Sequence, residues 1–195
     1  MVHYTLQITA HMENVKTLEP MGGCDDPNSL FYFKLKCDNC LEVTPKEVCI
    51  SLDELVPIPN SRDHANLFEK CKTCEEEGYI KMVPGEGRPL TGEDSEEERY
   101  APLMCFDCHG WVPLELSFLG PQWRVESVSG TVYENVDLSQ GEWAEFDEKG
   151  NCPVAIANLR SRFVLEPKAE ELKDPYLASS TVDKVAVKSL PVVGS

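Results

Sequence analysis

The sequence predicts a mainly β protein, arranged as two sandwich- or barrel-like halves with a ribbon-like four-cysteine corner in the N-terminal half. Three observations predict it. Short runs alternate polar and apolar residues with a period of two, and Gly and Pro punctuate them at short intervals, as in sandwiches and barrels. Two Cys-x-x-Cys pairs, Cys37-Asp38-Asn39-Cys40 and Cys71-Lys72-Thr73-Cys74, each sit between such runs. The 195 residues are 42% hydrophobic and 27% charged, enough apolar material for an ordinary globular core.

The first run covers residues 4–10, with Leu6, Ile8 and Ala10 on one face. Met1 to Thr9 lacks a basic stretch followed by an apolar one, so it reads as a strand and not as a signal peptide. Pro20, Gly22 and Gly23 break the pattern, and Asp25-Asp26-Pro27-Asn28 makes a turn. Phe31, Phe33 and Leu35 then alternate with Tyr32, Lys34 and Lys36 in a strand that runs into Cys37. Val48, Ile50 and Leu52 suggest its return, and residues 57–66 read as loop. The second pair lies between Asn66 to Lys70 and the short strand Tyr79 to Val83, so each pair caps a hairpin.

Residues 85–99 change character: Gly85, Gly87, Pro89 and Gly92 precede Glu93-Asp94-Ser95-Glu96-Glu97-Glu98. This composition predicts a mobile acidic connector and a boundary between an N-terminal unit, 1–84, and a C-terminal unit, 100–166. In the latter, Leu114, Leu116 and Phe118 alternate, as do Trp123 and Val125, and Thr131 to Tyr133, Trp143 to Phe146 and Val154 to Ala157 are further strands. Residues 167–173 read as a short helix with Pro167 at its first position, followed by a tail with little order of its own to residue 195.

Two internal echoes suit a pseudo-twofold relation between the halves. Leu35 to Cys40 with Pro45 resembles Leu103 to Cys108 with Pro113, and Glu13-Asn14-Val15 with Leu18 resembles Glu134-Asn135-Val136 with Leu138. Cys37, Cys71 and Cys105 are spaced by equal steps of 34 residues, but the residues around them do not repeat and are strand-like, which excludes a helical repeat.

Two facing Cys-x-x-Cys turns are what a tetrahedral Zn²⁺ site needs, with two sulfurs per turn and turn amides hydrogen-bonding to them. Cys37, Cys40, Cys71 and Cys74 are therefore the expected ligands of one structural Zn²⁺ per chain. Four thiolates leave two surplus negative charges on the site, and Lys34, Lys36, Lys70 and Lys72 flank it to offset part of them.

Cys105-Phe106-Asp107-Cys108-His109 also matches the haem c attachment pattern. Attachment requires machinery outside the cytosol, to which nothing in the sequence directs the chain. A redox-active or labile metal pair lacks its thioredoxin-like context. The default is that Cys105 and Cys108 are small apolar residues of a strand and its turn, and core filling is the default for Cys49 and Cys152 as well. Catalysis finds little support. His3, His11, His64 and His109 form no triad pattern, no phosphate-binding or dinucleotide-binding glycine motif occurs, and the carboxylates of Trp143 to Lys149 read as a solvated turn.

The net charge is −16, and a thiolate-bound zinc would bring it to about −18. Such a surface repels phosphate backbones, so nucleic acid is not an expected partner. No apolar run approaches the ~18 residues of a membrane span. Nine cysteines, an odd number, fit a reducing compartment better than a disulfide framework, so the cytoplasm is expected, with the nucleus as a second location.

The ordered combination of Phe31 to Cys40, Lys70 to Cys74, Cys108-His109-Gly110-Trp111-Val112-Pro113, Glu126 to Thr131 and Trp143 to Lys149 resembles the eukaryotic CXXC motif-containing zinc-binding protein family. The resemblance covers roughly residues 1–165. It implies a β-rich protein with one zinc on the two N-terminal pairs, and it transfers no catalytic residue. Cys108 matches a single cysteine of the family pattern, whereas Cys105 is an addition. The expectation is a non-enzymatic, monomeric zinc protein whose β surface docks a protein partner. The alternative is metal trafficking or thiol redox chemistry at Cys105 and Cys108, with a metallochaperone as partner.

Overall fold

The first strand, β1 (Val2–Glu13), lies inside the largest sheet and buries Leu6 and Ile8 completely. The computed structural model describes residues 1–166, so the expected helix at 167–173 and the tail lie outside the described residues. Fourteen further strands follow: β2 (Val15–Pro20), β3 (Phe31–Cys37), β4 (Val48–Ile50), β5 (Val56–Pro57), β6 (His64–Ala65), β7 (Leu67–Lys70), β8 (Glu77–Val83), β9 (Leu90–Thr91), β10 (Ala101–His109), β11 (Trp111–Ser117), β12 (Pro121–Ser127), β13 (Val132–Asp137), β14 (Trp143–Asp147) and β15 (Cys152–Glu166). One short helix, α1 (Gly92–Glu96), follows β9.

The strands form a six-stranded sheet in the order β14-β15-β1-β10-β8-β7, a four-stranded sheet β13-β12-β2-β9, a three-stranded sheet β11-β3-β4 and the small pair β5-β6. The mainly β class is therefore as expected. The division at 84 and 100 is not how the sheets are built, because each of the three larger sheets combines strands from both stretches. β1 pairs with β10 and β15 along most of its length, for example Leu6 with Met104 and Phe163. Between the sheets Phe33, Phe106 and Phe163 meet edge to face, with centroids 5.2–5.7 Å apart. This preferred aromatic geometry anchors the core.

Residues 85–99 are a correction: the acidic stretch is ordered. Leu90 is fully buried and pairs with Leu18 on β2. Thr91 caps α1 reciprocally with Asp94, and Asp94 is buried while Glu93, Glu96, Glu97 and Glu98 face outward. Arg88 grips the Asp94 carboxylate with two nitrogens, at 2.5 and 3.0 Å. Ser95 Oγ accepts the Met12 backbone N–H at 2.8 Å. Counting charges concealed the one carboxylate that turns inward. Residues 57–66, expected as loop, contain β6 and the last residue of β5, Pro57, which pairs with His64.

The echoes land unequally. Asn14 and Asn135 both adopt left-handed φ, 53° and 56°, and the residues after them, Val15 and Val136, are both buried. By contrast, Cys37 to Cys40 is a turn, whereas Cys105 to Cys108 is continuous strand.

Candidate metal centre

Cys37 closes β3 and Cys71 follows β7, and the two turns are built alike. Cys37 N–H donates to Glu42 O at 2.8 Å and Leu41 N–H to Cys37 O at 3.0 Å. The corresponding bonds of the second turn, Cys71 N–H to Glu76 O and Glu75 N–H to Cys71 O, are 2.8 and 2.9 Å. The residue after each second cysteine is left-handed, Leu41 at φ 65° and Glu75 at φ 61°. The 34-residue step is thus a repeat of one turn geometry.

The two turns face each other so that all four sulfurs lie within 4.8 Å of one another. Cys37 Sγ is 3.6 Å from Cys74 Sγ, and Cys40 Sγ is 3.6 Å from Cys71 Sγ. A tetrahedron with Zn–S of about 2.3 Å has edges of roughly 3.8 Å, so the group suits one zinc ion. Among the described residues it is the one cluster of three or more His, Cys, Asp or Glu donors at such spacing. Cys37 and Cys71 are buried, while Cys40 and Cys74 are partly exposed. The Glu76 amide hydrogen-bonds the Cys74 sulfur and is the main reason that its thiol is lowered to about 7. The Glu42 amide does the same for Cys40, but burial and the neighbouring sulfurs outweigh it and push that thiol up to about 12. A cation that replaces the protons removes this conflict, because it favours four thiolates together.

The remainder of the corner holds the turns together. Trp111 pairs with Cys37 across β11 and β3, and its indole N–H donates to Glu69 O on β7 at 3.2 Å. Gly78 and Gly110 allow this approach. A Cβ on Gly78 would overlap the Trp111 indole, and Gly110 has φ +73° with Glu77 O 3.0 Å from where its Cβ would stand. Of the flanking lysines, Lys70 lies 4.0 Å from the Glu75 carboxylate.

Cys105 and Cys108 are not brought together. Both belong to β10, and residues three apart on a strand point to opposite faces. Cys108 is buried and its thiol is pushed up to about 12 by that burial, whereas Cys105 sits 3.3 Å from the Thr5 hydroxyl. His109 stacks on Tyr79 at 5.2 Å. The core-filling expectation fails for Cys49, which is exposed on the outward side of β4, and Cys152 is half-buried.

Residues 5–164 match the family described as CXXC motif containing zinc binding protein, eukaryotic. The chain belongs to that family. Its relatives include UPF0587 protein CG4646 of Drosophila melanogaster, 39% identical over 169 residues, a match that covers 84% of this chain and 98% of that one. The CXXC motif containing zinc binding protein of Homo sapiens is 32% identical over 162 residues, covering 82% and 96%. The crystal structure of C1orf123 superposes with a TM-score of 0.75 at 29% identity, over 84% of this chain and 99% of that chain. The fold and the zinc-binding character of this CXXC family member therefore agree with the four-cysteine cluster.

A second polar site was not legible in the sequence. Asp147 is fully buried and accepts hydroxyls from Ser127 and Thr131, each at 2.7 Å, and from Ser129, together with the Lys149 backbone N–H at 3.1 Å. These donors, Ser129 first, hold its carboxyl far below the usual carboxylate range. The expected solvated turn is instead a clamp between 127–131 and 147–150. The only available signal was the Ser127-x-Ser129-x-Thr131 spacing, which places three hydroxyls on one side of a turn.

Proposed function

We propose that this chain is a non-enzymatic zinc protein in which Cys37, Cys40, Cys71 and Cys74 hold one Zn²⁺ as a structural tie, and that the surrounding β surface docks a protein partner. The facing turns, which bring four sulfurs within 4.8 Å of one another, carry the reading. A site closed by four protein ligands leaves no position for water or substrate, so zinc supplies folding energy and no chemistry. The tie joins the β3/β4 hairpin to the β7/β8 hairpin, which are also linked by the Trp111 indole and by Asn66, whose amide donates to Ser51 O at 3.0 Å. Nine free cysteines and a thiolate site favour a reducing compartment. The test is Cys71→Ser, which loses zinc by elemental analysis and melts at lower temperature. Unchanged metal content and melting temperature would sink the proposal.

A further inference from the structure

We infer that β14, an open edge of the six-stranded sheet, takes an added strand from a protein partner, one in which Lys or Arg alternates with apolar residues. The inference rests on the protein-docking reading above and gives it a location and a chemistry. β14 stands at the end of its sheet and among the described residues pairs only with β15. The Pro153 carbonyl of β15 faces β1, where it accepts the Asn14 side-chain amide at 2.8 Å. Pro153 is the partner of Phe146 in an unbroken register, so Phe146 aims its main-chain N–H and C=O away from β15. Ala144, two residues earlier, does the same. Among the described residues the Phe146 N–H meets only the carboxylate of its neighbour Glu145, at 3.3 Å. Unpaired main-chain groups in such a row are a template for another strand.

The two faces of β14 select the occupant. On the outer face lie Ala144 and Phe146, which is 53% exposed, opposite Ala155 and Pro153. The small side chains beside Phe146 leave a shallow apolar floor for alternate residues of an incoming strand. On the inner face Trp143 packs edge to face on Tyr133, with centroids 5.1 Å apart. Partial burial, followed by Asp147, Glu145 and Glu148, pushes the Tyr133 phenol up, so these carboxylates stand near its ring. Asp147 is occupied by its hydroxyl donors. Glu142, Glu145 and Glu148 are exposed, and none of them forms an ion pair among the described residues. Lys149, the one lysine or arginine of residues 142–149, reaches instead to the 127–131 turn, its Nζ 3.3 Å from where a Cβ on Gly130 would stand. A Lys or Arg on the added strand therefore finds carboxylates and aromatic rings together, while its main chain completes the sheet. Acidic surface is common on a chain of −16, and the open main-chain edge is what singles out this part of it. A second copy of the chain would set the same three glutamates against each other across a twofold axis, which like charges disfavour.

The test pans phage-displayed random octapeptides against the zinc-loaded full chain and measures the consensus peptide by fluorescence anisotropy. The expected consensus alternates Lys or Arg with apolar residues. Its affinity falls about tenfold or more in Glu145→Lys/Glu148→Lys. It falls likewise in Ala144→Pro, which removes one outward N–H that the pairing with β15 does not use. The same charge reversal on α1, Glu93→Lys/Glu96→Lys, changes affinity by less than about threefold. Zinc content and circular dichroism verify that these variants retain their fold. An acidic consensus, or an equal loss from the α1 reversal, overturns the inference. So does a dimer of the full chain that Ala144→Pro dissociates, because it assigns the edge to a second copy. A peptide indifferent to every β14 variant removes this site and leaves protein docking standing, whereas the absence of any selected peptide removes both. Zinc retention in Cys71→Ser bears on the metal alone.

Discussion

Leu41 and Glu75 occupy the same position on the two cysteine turns and share a left-handed backbone, φ 65° and 61°. Each follows the second cysteine of its pair, and each donates its N–H to the carbonyl of the first, Cys37 or Cys71. The conformation is costly for any residue with a Cβ, and glycine adopts it freely. Glu75→Gly should therefore stabilise the zinc-loaded protein by about 0.5–1 kcal/mol, net of the entropy glycine adds to the unfolded chain. Chemical denaturation at fixed zinc measures it, and a destabilisation of similar size would refute the assigned strain.

Arg88→Ala should destabilise by about 2 kcal/mol, because it strands the buried Asp94 carboxylate. The figure is discounted because the Arg88 side chain is 44% exposed and Arg99 Nε remains 3.4 Å from Asp94. The Arg88 guanidinium, with Thr91, lowers the Asp94 carboxyl to about 2. A depressed carboxyl contributes stability above its unfolded pKa, so the contribution is complete above about 4 and disappears as the pH falls toward 2. Asp94→Asn should flatten that part of the stability–pH curve. A curve identical to wild type would show that the clamp is idle.

Asp147 obeys the same sign for a different reason, since hydroxyl and amide donors replace the cation. Asp147→Asn should lower the melting temperature at pH 7 and reduce the acid-dependent loss of stability below about pH 4. Ser129→Ala should act in the same direction to a smaller extent. If Asp147→Asn melts as wild type does, the three hydroxyls are not acting as a clamp.

The opposite faces of β10 separate the third cysteine pair into unequal residues. Cys105→Ser should change neither zinc content nor stability appreciably, because its site already faces the Thr5 hydroxyl. Cys108→Ser buries a hydroxyl in apolar surroundings and should cost about 1–3 kcal/mol without loss of zinc. Zinc loss in either variant would assign this pair a metal role that its geometry denies.

Much of the fold was readable because alternation and turn chemistry act locally. The Phe31 to Lys36 strand, the hairpins capped by the cysteine pairs and the four-sulfur cluster all follow from residues close in sequence. The misreadings share one physical origin. Asp94 and Asp147 look like solvated carboxylates until distant partners enclose them, Arg88 and Met12's strand for the first and the Ser127–Thr131 turn for the second. The pairing of β1 with β10 and β15 was equally hidden, since a strand's alternation gives its buried face and not its neighbours. Cys105 and Cys108 show the reverse case: a motif that is local in sequence loses its chemistry once the backbone is extended.

The central claim is that four sulfurs hold one zinc ion between the two turns. X-ray absorption at the zinc edge of the full chain tests it most directly. The account predicts one zinc per chain with four sulfur neighbours at about 2.3 Å, and none retained in Cys71→Ser. Nitrogen or oxygen among the ligands, or full zinc occupancy in that variant, would contradict it.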